Sequence, residues 1–282
     1  MPIDEREQEL RRQENLDVLA KLRLLDDDFM SAVFQDNLAC TDLVLRIIIG
    51  RPDIKTTKVI TQDTLTNLQK RSVRLDIHAF AAGQEYNIEI QRAEKGASPR
   101  RARLNLSMMD ANALLPGDSY EKLPESYVIF LTETDVLGLG LPLYVIERHI
   151  HGTEQIFADG TTILYVNCAY HDDTTPLGQL VHDFKCTKAE EMYYAELAER
   201  VRYFKEEPKG VAKMCEAIDL MAEKRAQRAF ARGQSHGKSE GERKGKLDAI
   251  RALAKNLGIS FTKAMDMMGL DAATQAKYLT LL

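Results

Sequence analysis

Arg74-Leu75-Asp76-Ile77-His78 and, a few residues on, Tyr86-Asn87-Ile88-Glu89-Ile90-Gln91 are the stretches that decide the fold. Both alternate apolar and polar residues, as β-strands do when one face is turned to a core. Leu75, Ile77 and Ala79 share one side of the first strand, and Tyr86, Ile88 and Ile90 share one side of the second. Asp76, His78, Asn87, Glu89 and Gln91 therefore project together. A connection through Ala82-Gly83, of two or of four residues, pairs positions whose numbers sum to 165. Asp76 then faces Glu89, and Arg74 faces Gln91. Like charges directly opposite, with Cβ atoms roughly 5 Å apart, destabilise a sheet. A divalent cation between them would remove the conflict, which makes this face a candidate metal site. The bland alternative is a solvated hairpin face.

The order Asp76, a strand turn, then Glu89-Ile90-Gln91 resembles the D…(D/E)xK signature of the PD-(D/E)XK nuclease superfamily, with Gln91 in place of Lys. Other blocks extend the likeness in the same order: Leu24-Leu25-Asp26-Asp27-Asp28-Phe29, Arg71-Ser72-Val73-Arg74-Leu75-Asp76, Pro124-Glu125-Ser126-Tyr127-Val128-Ile129-Phe130 and Val201-Arg202-Tyr203-Phe204-Lys205. Together they are similar to the bacterial PD-(D/E)XK nuclease family transposases, relatives of the recombination-promoting nucleases. The likeness covers roughly residues 20 to 230. It implies an α/β, restriction-endonuclease-like αβββαβ core with a mixed central sheet. It also implies a Mg²⁺-dependent endodeoxyribonuclease linked to recombination or mobile elements, with Mn²⁺ able to substitute. Asp76 and Glu89 would hold the metal and Gln91 would take the third catalytic position. The resembled group also carries Gln there, so the departure does not imply inactivity.

The rest of the chain accommodates that core. A charged helical lead-in (1–20) precedes an apolar helix around Phe29–Ile49, which Gly50-Arg51-Pro52 stops. Lys58–Gln62 can form a strand before the hairpin. Ser98-Pro99 then starts a helix running to about Leu115, with Pro near its first turn. Tyr127–Leu131 reads as a nearly continuous apolar strand of the buried kind, with further strands near 143–146 and 162–166. The nuclease-like core thus occupies 21–175. A helical extension follows over 176–232, then a linker over 233–246 with Gly233, Gly237, Gly241 and Gly245 at every fourth place. A small helical tail spans 247–282, suited to packing or self-association.

Composition and charge narrow the partners. A net charge of −5 over 282 residues does not suit indiscriminate coating of nucleic acid, which relies on many cationic phosphate contacts. Between Arg92 and Arg103, however, Arg92, Lys95, Arg100, Arg101 and Arg103 stand against Glu94 alone. With Arg74, these residues are the candidate nucleic-acid contacts, since a polyanion approaching carboxylates needs a cationic approach surface. The charged start Met1-Pro2-Ile3-Asp4 and the lack of a run of roughly 20 apolar residues lead us to expect a cytoplasmic chain with no membrane contact. Cys40, Cys168, Cys186 and Cys215 are too scattered for a zinc knuckle or a disulfide framework.

In the expected mechanism a backbone oxygen of Ile90 and a helix-borne acid, Asp28 or Asp42, complete the metal shell. Gln91 can orient water but adds no charge, so a cation must come from elsewhere; Arg74 and Arg103 are nearest by register. His78 is available for proton transfer or is a sheet histidine without a role. Two other classes of function stand beside the endonuclease: a nuclease-fold DNA-binding module without turnover, and an assembly protein that oligomerises through its C-terminal helices.

Overall fold

The alternation at residues 72–91 is realised in a computed structural model that describes residues 5–66, 72–92 and 96–281. β1 (Thr56–Thr66), β2 (Ser72–Ala81) and β3 (Gln84–Gln91) run antiparallel. After α4 (Pro99–Ala113), β4 (Glu125–Thr132) returns parallel to β3. β6 (Thr161–Asn167) follows parallel to β4, and β5 (Leu143–Ile146) takes the edge, antiparallel to β6. The result is a six-stranded mixed sheet in the order β1-β2-β3-β4-β6-β5. The expected succession of helix, three strands, helix and strand is present from α3 (Leu38–Ile49) to β4.

Burial explains the sequence patterns. β4 lies between parallel partners with both faces covered, so Val128, Ile129, Phe130 and Leu131 are all fully buried and no alternation survives. α4 covers one face of the sheet, where Ala102, Leu106 and Met109 pack with Leu75, Val128, Phe130 and Tyr165. Each fully buried Leu, Val or Phe contributes about 1.5–3 kcal/mol, enough to hold α4 against the polar groups beneath it.

The single helix expected over Phe29–Ile49 is two, α2 (Asp27–Phe34) and α3. Asp36 adopts φ 53°, and Asn37 caps α3 by accepting the Cys40 N–H at 3.1 Å. Asparagine is poor within a helix and strong at its start, so it divides an otherwise apolar run. α5 (Pro176–Lys185) packs on α3, and α6 (Ala195–Glu206) on both α2 and α3. From α6, the Lys205 ammonium donates to the carbonyls of Ala20, Leu22 and Thr187 at 3.2, 2.6 and 2.5 Å. It ties the end of α1 (Glu5–Lys21) and the entry to α2 to a helix far along the chain.

The chain divides into two compact units, Met1–Ala217 and Ile218–Leu282, with the division inside α7 (Pro208–Leu257). In the second unit, Ile250 and Ala254 of α7 pack with Ala264 and Met265 of α8 (Phe261–Met267), and Tyr278 of α9 (Ala272–Leu279) lies partly buried against them. The break expected at Gly258 is there: Gly258 takes φ 61° and Ser260 caps α8 by accepting the Lys263 N–H at 3.2 Å. The four spaced glycines of 233–246 lie within α7. Among the described residues, no helix is long and apolar enough to cross a membrane.

Candidate active site

The hairpin turns on Ala82 and Gly83, the latter at φ 70°, and pairs Ala79 with Tyr86, His78 with Asn87 and Ile77 with Ile88, the expected register. There the pairing stops. Asp76 is not laddered to Glu89, nor Arg74 to Gln91; instead, an Asp76 carboxylate oxygen accepts the Ile90 N–H at 3.1 Å. The backbone donor is thus satisfied by a side chain, and the two strands part around the acids. What Ile90 gives the site here is its N–H. From β1, Gln62 donates to Asp76 Oδ1 at 3.5 Å and to Ser31 Oγ at 2.8 Å. Gln62 holds φ 55°, a left-handed conformation costly for a non-glycine residue and typical of sites that are tightly specified.

Glu89 is fully buried beside Asp76. Its Oε2 pairs with Arg101 Nη2, while its Oε1 has no hydrogen-bond partner. Desolvation first, and then the charge of Asp76, push the Glu89 carboxyl up to about 7, against the opposing pull of Arg101, Asn87 and the Asp76 N–H. Burial raises Asp76 as well, opposed by the Ile90 N–H, Arg101 and Arg74. The Asn87 amide lies close enough to favour ionised Glu89, yet neither of its polar atoms is in hydrogen-bond geometry with any group.

Asp27, the first residue of α2, is the helix acid on which the charge of Asp76 acts, whereas the sequence pointed to Asp28 or Asp42. Asp42 is engaged in structure: Oδ1 accepts the Thr56 N–H and hydroxyl at 2.7 Å each, and Oδ2 pairs with Arg46 at 3.0 Å, fastening α3 to β1. Asp28 enters as a negative neighbour of Asp27. Asp27 itself is solvent-accessible. Partial desolvation, then Asp76 and Asp28, push it up to about 6, opposed by Arg74 and Arg101; the water that reaches it screens part of that shift. A four-charge clamp sets where α2 begins: Arg92 joins Asp26 at 2.7 Å and Glu133 at 3.0 Å, and Arg23 joins Glu133 at 3.0 Å. Arg92, expected to meet phosphate, is occupied by this clamp.

The remaining candidate cations separate into groups. Arg74, Arg100 and Arg101 line a cleft of about 430 Å³ together with Asn105, whose buried Nδ2 has no partner. Arg103 is exposed on α4 and does not line it, and Lys95 lies outside the described residues. Arg101 is placed by the start of α4, where Ser98 Oγ accepts its N–H at 3.3 Å, Pro99 fills the first turn and the Tyr165 hydroxyl holds the Ala97 carbonyl at 3.0 Å. Gln91 packs against Gly96, where an added Cβ would lie 1.6 Å from Gln91 Oε1.

Two other polar groupings were not assembled from the sequence. His78 is buried with Nδ1 2.7 Å from Asp63 Oδ2 and Nε2 2.5 Å from Glu85 Oε1, so both ring nitrogens are taken and proton transfer at the acids is closed to it. His182, Asp183 and Cys186, on α5 and at its end, bring ligand atoms within 4.8 Å of one another; the four-residue spacing of His182 and Cys186 was the available signal. Asp183, however, accepts the Tyr193 and Tyr194 N–H groups at 2.8 and 2.9 Å to hold the entry of α6. Burial, then Asp183, push the Cys186 thiol up to about 11, so a cation there would have to displace its proton.

No protein-family model, curated protein or solved structure matches this chain. The functional reading therefore rests on the side chains.

Proposed function

We propose that this chain is a metal-dependent endonuclease with a restriction-endonuclease-like core, hydrolysing phosphodiester bonds of DNA at Asp27, Asp76 and Glu89. The observation that carries the reading is Glu89 Oε1, a buried carboxylate oxygen without a partner beside a second carboxyl raised by burial. An unsatisfied buried polar atom costs about 1–3 kcal/mol, and more when charged; a cation held between the acids would offset that cost. The donors are all carboxylate oxygens, which suits Mg²⁺ or Mn²⁺ rather than a thiolate-seeking ion. When bound, the cation supplies an acidified water and neutralises charge gained by the phosphate.

The chain's own groups supply the rest. The Ile90 N–H and Gln62 fix the Asp76 carboxylate, and the arginine cleft receives the phosphates that the acids alone would repel. In the reaction, water oxygen bonds to phosphorus as one P–O ester bond breaks. The departing sugar oxygen takes one proton, and a second goes to solvent. Purified protein should convert supercoiled plasmid to nicked or linear forms with Mg²⁺ and stop on addition of EDTA. Equal cleavage by wild type and Asp76→Ala would sink the assignment.

A second reading, a DNA-binding module without turnover, is favoured by one observation: Gln91 stands where a lysine is usual. It requires DNA affinity indifferent to divalent cations and no cleavage under any of them.

A further inference from the structure

The geometry points to Arg101 as the catalytic cation of this site, donating to the scissile phosphate and taking over the charge that a lysine at position 91 would have supplied. This inference rests on the endonuclease reading above and names the group that completes it. Three observations place Arg101 at the reacting centre. Its Nη2 holds Glu89 Oε2, leaving Oε1 as the oxygen open to a cation, so the guanidinium and a metal can share one carboxylate without displacing each other. Its Nη1 donates to the Gly96 carbonyl at 3.2 Å, and the guanidinium carbon lies 6.0 Å from the Phe130 ring centroid, which fixes the group from a second side. About a third of the side chain, 36%, stays exposed, and it lines the cleft with Arg74 and Arg100.

A guanidinium carries five N–H donors in a planar fork. Glu89 and Gly96 engage two nitrogens of that fork, and the donors left over serve an oxyanion in the cleft. The other cations fail on position. Arg92 is locked between Asp26 and Glu133. Arg103 does not line the cleft, and Arg74 and Arg100 line it with no hydrogen bond to Asp76 or Glu89. Gln91 is uncharged, and its amide is packed on Gly96. Charge developing on the phosphate as water adds and the ester oxygen departs is therefore met by a cation rooted in the first turn of α4 instead of on β3. A preorganised donor of this kind accounts for about a hundred- to a thousand-fold in rate.

The test compares wild type, Asp76→Ala, Gln91→Ala, Arg101→Ala and Arg101→Lys in plasmid cleavage, with Mn²⁺ binding followed by calorimetry. Arg101→Ala is expected to lower kcat by about a hundred-fold while Mn²⁺ still binds. Added guanidinium chloride should restore part of its rate and none of the rate of Asp76→Ala. Gln91→Ala should lose less than about ten-fold, and Arg101→Lys, which keeps the charge but not the fork, should fall between. Should Arg101→Ala fail to fold by circular dichroism, Arg101→Lys carries the test, and a wild-type kcat there would overturn the role of the fork. Loss confined to KM, or loss of Mn²⁺ binding without guanidinium rescue, would overturn the inference and leave Arg101 a phosphate-capture or positioning residue. Undiminished cleavage by Arg101→Ala with none by Asp76→Ala would defeat this inference alone, whereas no cleavage by wild type would defeat the endonuclease reading with it.

Discussion

Two buried polar clusters share β2 and β3, the first reaching also to β1, and they are finished differently. In the first, His78 meets Asp63 and Glu85 so that both of its ring nitrogens are partnered. Further along β3, Glu89 Oε1 is buried with nothing to bond, and so are both polar atoms of Asn87, the cross-strand neighbour of His78. Burial alone does not separate the two, since His78, Glu85, Asn87 and Glu89 are all 5% exposed or less. Satisfaction does. A closed network rigidifies a sheet, whereas an open one holds a free-energy deficit that a ligand can remove. Under the proposed function, the closed histidine network serves stability and the open position at Glu89 serves chemistry.

The sharpest way to break this contrast is to neutralise Glu89. Glu89→Gln should lose cleavage on the order of a thousand-fold, since several kcal/mol of metal-borne stabilisation goes with the ligand. Yet it should unfold in urea at pH 8 no more easily than wild type. A loss of stability would show the open position to be structural after all. The reciprocal change, His78→Phe, strands buried Glu85 and should cost about 3–5 kcal/mol of stability, while the surviving folded fraction keeps its Mn²⁺ affinity. Loss of Mn²⁺ binding at full stability would merge the two clusters into one.

Protonation offers a third test. Glu89 is raised from 4.5 to about 7 and Asp27 from 3.8 to about 6, so in the native state both hold protons that the unfolded chain has already released. The stability they contribute is present in full below about pH 4, and it is lost as pH climbs through 6 and 7. Wild type should therefore lose ground to Glu89→Gln across that window, and Mn²⁺ should raise the melting temperature of wild type more at pH 8 than at pH 5. Equal increments at the two pH values would contradict it. The smallest effect belongs to the rim: on an Asp76→Ala background, Arg100→Ala should flatten the slope of log DNA affinity against log salt by about 0.9, the loss of one phosphate contact. An unchanged slope would remove Arg100 from the interface.

What could be read from the sequence was what depends on local rules. Alternation gave the hairpin and its register from Ile77–Ile88 to the turn, though not the Asp76–Glu89 and Arg74–Gln91 pairs; the apolar run gave β4, and Ser98-Pro99 marked the start of α4. Asp76 and Glu89 came with the strands. Asp27 did not, because acids at a helix start are equivalent by local rules and the choice fell on Asp28 or Asp42; in the structure Asp26 is taken by Arg92, and Asp27 is the one on which Asp76 acts. The pairing of Arg101 with Glu89 was hidden for a similar reason, since it depends on how α4 crosses the sheet. The division between α2 and α3 was visible in principle at Asn37 but was outweighed by the apolar residues around it.

Lys205 gives the site an order of assembly in time. Asp27 leaves the ribosome well before Lys205, and the backbone leading into α2 is fastened by an ammonium 183 positions downstream of the Leu22 carbonyl it grips. At about 5–20 residues per second, translation places roughly ten to forty seconds between the acid and its anchor. Once Glu89 has been made, the nascent chain carries all three carboxylates, still without this tether on the segment that presents the first. A chain ending between residues 89 and 205 would thus carry every proposed ligand and lack the residue that fastens the backbone leading into α2, which separates possession of the acids from possession of that anchor.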